Sequence, residues 1–82
     1  MRFHVRFTYG TENREKALQL LRQGALKAEA SVKAERAWVA IGSGIGFAIL
    51  ETSDDKALYE LAVTWSDFGE LEFTPIIEVK SV

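Results

Sequence analysis

Apolar and polar residues alternate without a break from Arg2 to Tyr9: Phe3, Val5, Phe7 and Tyr9 share one parity, and Arg2, His4, Arg6 and Thr8 share the other. A period of two is that of a pleated strand buried on its odd face. Gly10 interrupts the pattern. Thr11 or Asn13 is placed to cap a helix whose first turn carries Glu12 and Glu15, carboxylates favoured at the positive end of a helix dipole. Ala17, Leu18, Leu21, Ala25 and Ala28 then recur at three- and four-residue steps, with Arg14, Lys16, Gln19, Arg22, Gln23 and Lys27 filling the other side. The helix is therefore expected to run to about Ala30 with one face on a sheet. Gly24 inside that span costs up to about 1 kcal/mol relative to alanine, which a close approach to the sheet would explain.

A second strand is expected from Arg36 to Ile41, where Trp38, Val39 and Ile41 supply β-favouring bulk. The glycine-rich stretch Gly42-Ser43-Gly44-Ile45-Gly46 suits a hairpin, and Phe47 to Leu50 is an unbroken apolar run suited to an interior strand. Because that run is apolar on both parities, the pattern does not say which of its faces meets the helices. Thr52-Ser53-Asp54-Asp55 is a dense helix-start signal, followed by an inward stripe of Leu58, Leu61, Ala62 and Trp65 and a stop at Asp67-Phe68-Gly69. Leu71, Phe73, Ile77 and Val79 then alternate with Glu70, Glu72, Thr74, Ile76 and Glu78 as a fourth strand. Pro75 within it cannot donate a ladder hydrogen bond, so this strand belongs at a sheet edge or bulge.

The order is strand, helix, strand, strand, helix, strand. Right-handed crossovers around one antiparallel sheet give the spatial order 4-1-3-2, which makes the fourth strand an edge, as Pro75 requires, and the third interior, as its apolar run requires. The expected fold is an α+β ferredoxin-like βαββαβ sandwich with both helices on one face of a four-stranded antiparallel sheet. The 82 residues leave room for one domain, 1–82, since compact domains run from roughly 50 to 250 residues. A chain this short buries only about 60% of the surface its unfolded form exposes, so further burial in an oligomer would help it.

The composition, 48% hydrophobic and 27% charged, is that of a globular chain and excludes disorder. There is no cysteine, which excludes disulfides, thiolate zinc sites and a cysteine nucleophile. Charges at Arg2 and Arg6 interrupt what a secretory signal would need as an apolar stretch, and no later run reaches membrane-spanning length, so the cytoplasm is the expected location. With a net charge of -2, binding to nucleic acid through charge alone is not expected.

Arg2, His4 and Arg6 form the densest cationic stripe in the chain, on the strand face opposite its apolar set. Glu70, Glu72 and Glu78 share a face of the neighbouring strand, so cross-strand pairing is the structural reading and an anion site the functional one. His4 is the one histidine and the natural proton carrier near neutral pH, but no motif supplies it with a partner. Glu51 ends the third strand, and its pairing with Arg2 or His4 is the simplest expectation. Arg2, His4, Arg6 and Glu51 are thus the candidate polar site. No catalytic residue, cofactor or metal ligand set is assigned. The glycine-rich stretch lacks the lysine and following helix of a phosphate loop, and Asp67-Phe68-Gly69 spells a kinase metal-binding triplet in a chain too short for a kinase. Asp54 and Asp55 are read as helix capping. If Trp38, Phe47 and Ile49 lie on the face not covered by helices, a second sheet is the economical cover for them, which makes them the dimer-interface candidates.

The run Gly44-Ile45-Gly46-Phe47-Ala48-Ile49-Leu50-Glu51-Thr52-Ser53-Asp54-Asp55, then Ala57-Leu58, Trp65 and Phe73-Thr74-Pro75-Ile76-Ile77, resembles a bacterial domain-of-unknown-function family, three-three-zero-three. Its members resemble dimeric α+β barrel proteins, so the resemblance implies a fold and a homodimer, not an activity. The expected function is that of a small cytoplasmic homodimer with a structural or ligand-binding role. One alternative is a small-molecule enzyme of the dimeric α+β barrel type. Another is an RNA-binding module, since Ser43 to Leu50 loosely echoes the strand-three signature of RNA-recognition domains, with Phe47 as one stacking aromatic and His4 standing in for another.

Overall fold

The first alternation becomes strand β1 (Arg2–Thr8) in a computed structural model that describes residues 1–24 and 31–80. It is followed by helix α1 (Arg14–Arg22), strands β2 (Lys33–Val39) and β3 (Ile45–Glu51), helix α2 (Asp55–Trp65) and strand β4 (Leu71–Ile76). The strands form one antiparallel sheet in the order β2-β3-β1-β4, which is the expected 4-1-3-2 read from the other edge.

β1 is central and pairs on both sides, so its parity sorts the whole sheet. Its odd residues Phe3, Val5 and Phe7, and Tyr9 just past its end, are buried with Ala48 and Leu50 of β3 beneath Ala17 of α1 and Ala57, Leu58, Leu61 and Trp65 of α2. Trp65 stands edge-on to Phe7 with ring centroids 5.3 Å apart, and its indole Nε1–H donates to the Thr8 carbonyl at 2.8 Å. A buried indole therefore has its partner, as burial of that polar group requires. Asp54 caps α2 as expected, its Oδ1 accepting from Lys56 N–H at 3.0 Å and Ala57 N–H at 3.3 Å. Gly46 sits under the Phe7 ring: a Cβ there would overlap the ring and lie 2.8 Å from the Trp38 carbonyl oxygen.

Several expectations need correction. α1 stops at Arg22, and Gly24 is not a packing glycine inside the helix. It takes φ 83°, with open space where a Cβ would be, in the left-handed conformation that ends helices. The expected helical residues 25–30, Ala25 and Ala28 among them, lie outside the described residues. Neither Thr11 nor Asn13 caps α1 with its side chain. A short 3₁₀ turn at Thr11–Asn13 leads in, with Asn13 N–H donating to the Gly10 carbonyl at 2.8 Å. β2 begins three residues earlier than expected, because a bulge between Ala34 and Arg36 lets Lys33 stay in register with Glu51. β4 ends at Ile76, whose β1 partner is Arg2, the first residue of that strand.

Gly46→Ala should destabilise the fold by about 1–3 kcal/mol, the usual cost of forcing volume into a filled core. The midpoint of urea unfolding measures it, and an unchanged midpoint would contradict the Phe7 placement over β3.

Candidate functional site

Both helices lie on one side of the sheet, and the other face is bare among the described residues. Parity assigns its occupants. Opposite the buried odd residues of β1 are Arg2, His4, Arg6 and Thr8, and the register sets Glu51, Ile49, Phe47 and Ile45 of β3 beside them. Beyond β3, Lys33, Arg36 and Trp38 of β2 continue the rows, while on the other side Ile76, Thr74 and Glu72 of β4 do so. The face therefore has an apolar half on β2 and β3 (Trp38, Phe47, Ile49, Ile45) and a polar half on β1 and β4. Trp38, near the end of β2, is 48% exposed, a large apolar area for a strand side chain.

The structure brings Arg2, His4, Arg6 and Glu51 to this one face and sets Trp38, Phe47 and Ile49 alongside them. His4 and Phe47 are in contact, with ring centroids 5.6 Å apart and planes tilted by 41°. The expected pairing of Glu51 with Arg2 or His4 does not form. Arg2 Nε instead meets Glu35 Oε1 at 3.1 Å, although Glu51 is its backbone neighbour. The bulge is the reason: it places Glu35 where the Arg2 side chain can reach it. Reading β2 as starting at Arg36 hid this residue, and only a recognised bulge would have revealed it. Among the described residues, Arg6 and Glu72 are register partners without an ion pair, and Glu78 lies past the end of β4. The cross-strand acid–base ladder is therefore one of proximity, not of formed bridges.

A second polar cluster ties the start of the chain to the β3–α2 loop. The Met1 ammonium donates to the Thr52 carbonyl at 3.1 Å and Thr52 N–H donates to the Met1 carbonyl at 3.0 Å. The buried Thr52 hydroxyl donates to the Ser31 carbonyl at 2.9 Å and accepts from Asp54 N–H at 3.0 Å, while Ser31 Oγ donates to Asp54 Oδ2 at 3.1 Å. Every side-chain polar group in it is engaged in shaping the loop, so it is structural. The glycine-rich stretch is the expected hairpin, with Gly42 and Gly44 at φ 82° and 70° and Ala40 N–H donating to the Ile45 carbonyl at 2.9 Å. Asp67-Phe68-Gly69 is a helix stop in which the Phe68 and Gly69 amides both return to the Trp65 carbonyl. Among the described residues, no three His, Cys, Asp or Glu side chains gather as a metal site, and no helix is long and apolar enough to cross a membrane.

An antiparallel βαββαβ sheet in the order β2-β3-β1-β4 with two helices on one face defines a ferredoxin-like α+β domain. The chain belongs to the family described as Domain of unknown function (DUF3303), whose model matches residues 1–82. No curated protein matches it.

The Arg2 side chain is 43% exposed, so its bridge to Glu35 is screened. A double-mutant cycle on Arg2→Ala and Glu35→Ala should return a coupling below about 1 kcal/mol. A larger value would mean that this pair is desolvated by a partner on the same face.

Proposed function

We propose that the chain works as a cytoplasmic homodimer joined through the helix-free face of its sheet, with a structural or ligand-binding role. The observation that carries this reading is the ridge of Trp38, Phe47, Ile49 and Ile45, side by side on adjacent strands with no layer over it among the described residues. Burying one such side chain contributes about 1.5–3 kcal/mol, so a handful from each copy offsets an association cost of about 4–15 kcal/mol. Self-association also suits the charge of the face. Arg2, Arg6, Arg36 and Lys33 are interspersed with Glu35, Glu51 and Glu72 and present no single sign to repel a second copy. A small polar molecule enclosed between two such sheets would meet Arg2, His4, Arg6 and Glu51. Those are the groups through which a small-molecule enzyme of this build would act. The RNA reading draws on the His4–Phe47 contact but is opposed by the net charge of -2 and by Glu72 beside Arg6.

Sedimentation velocity at tens of micromolar should show a dimer, and Phe47→Glu should give a monomer with unchanged far-UV circular dichroism. A monomeric wild-type protein would overturn the proposal. In an electrophoretic shift with a random RNA pool at low salt, micromolar protein should leave the RNA unshifted, and a saturable shift would favour the RNA reading instead.

A further inference from the structure

Two features outside the sheet face match each other. The first is the segment after β4. Ile77 and Val79 are 88% and 65% exposed, although they continue the alternation of the strand before them. The Thr8 N–H donates to the Glu70 carbonyl at 2.9 Å, so by antiparallel alternation Glu72, Thr74 and Ile76 bond toward β1 while Leu71, Phe73 and residue 75 turn their amides to the open edge. Position 75 is proline and has no amide to offer there. Continued in the same phase, the next outward-facing amides are those of Ile77 and Val79.

The second is the outer edge of β2, which no strand covers among the described residues. The Ala40 N–H to Ile45 carbonyl bond makes Ala40 and Trp38 inward-bonding, so Ala37 and Val39 turn their amides and carbonyls outward. Their side chains lie on the helix side, in an apolar groove with Leu18, Leu21 and Arg22 of α1. On the opposite side of the same strand is Arg36.

We infer that residues Ile77 to Lys80 of one copy add as a short strand to the outer edge of β2 in the second copy. This inference rests on the sheet-face dimer proposed above. Parity makes three kinds of complementarity coincide. When Ile77 or Val79 sits opposite Ala37 or Val39, outward amides meet outward carbonyls, aliphatic side chains enter the groove against Leu18 and Leu21, and Glu78 falls on the side that carries Arg36. The opposite register would bury Glu78 against leucine. Area points the same way. Four strands about 4.8 Å apart and seven residues at about 3.4 Å each project a face of roughly 450 Å², against about 800 Å² per partner in a standard interface. The added strand, present twice by symmetry, enlarges the contact. It also closes the free edge that an exposed strand otherwise leaves open to indiscriminate pairing.

The chain has no cysteine, so engineered thiols report without background. Chains carrying Val39→Cys are mixed with chains carrying Ile77→Cys or Val79→Cys and oxidised, then resolved by mass. Directly opposed residues in a hydrogen-bonded pair are about 5.5 Å apart at Cα, within disulfide reach. The mixed disulfide should exceed either homotypic one. Ile77→Asp with Val79→Asp should raise the dimer dissociation constant by more than about a hundredfold, since the symmetric dimer loses four buried aliphatic side chains, while leaving the monomer core intact. If the wild type is dimeric, but mixed disulfides are absent and the double aspartate variant dimerises normally, the added strand is wrong and the sheet-face dimer stands. If the wild type is monomeric, both fall.

Discussion

The parity of β1 is the constraint on which everything else depends. This strand bonds to β3 on one side and β4 on the other, and Val5 and Phe7 are fully buried beneath the helices. A slip of one residue would drive Arg2, His4 and Arg6 into the core and lift Phe3, Val5 and Phe7 out of it, a change no other part of the molecule could offset. Both ends of the strand are also pinned. At one end Thr8 accepts from the Trp65 indole, exchanges bonds with Glu70 and has Gly69 packed so closely that a Cβ would collide with its carbonyl. At the other, Met1 and Thr52 exchange bonds across to the β3–α2 loop.

The architecture was legible because β1, β3 and β4 each announce themselves differently: strict alternation, a continuous apolar run and a strand interrupted by proline. The order 4-1-3-2 accommodates all three. The Asp54 cap was legible because helix starts are short-range chemistry. What escaped was whatever depends on geometry between distant segments. Gly24 reads as a helical glycine until its left-handed φ is seen, since the apolar periodicity of the sequence runs on past it while α1 ends at Arg22. Glu35 reads as loop until the bulge places it beside Arg2. The facing of β3 looked undecidable from its apolar run. Yet Glu51 carried the signal, because an acidic residue has no place under the helices, and its parity therefore consigns Phe47 and Ile49 to the bare face.

The polar residues on that face do not make a self-sufficient catalytic group. Arg2 is engaged with Glu35, Glu51 is exposed at a strand end, and His4 packs on Phe47 with no acidic or hydroxyl partner among the described residues. Groups this open to water are weak recognition elements, because solvent competes for each of them. Covering the ridge beside them changes their surroundings without moving an atom of the sheet. Exclusion of water strengthens each charge on its rim and would turn a scattered set of side chains into an enclosed one.

A four-stranded sheet with helices on one side has two unsolved problems, a bare face and two bare edges. Larger domains add a third layer; the described residues supply none. Its edges are treated unequally. β4 lacks an outward amide at Pro75 and keeps those of Leu71 and Phe73, whereas β2 keeps its outward amides at Ala37 and Val39 without interruption. The asymmetry has a consequence for self-recognition. In the dimer proposed above, one edge interrupted by proline and one receptive edge under a two-fold axis would give two equal seams and no third, so that assembly would close at two copies.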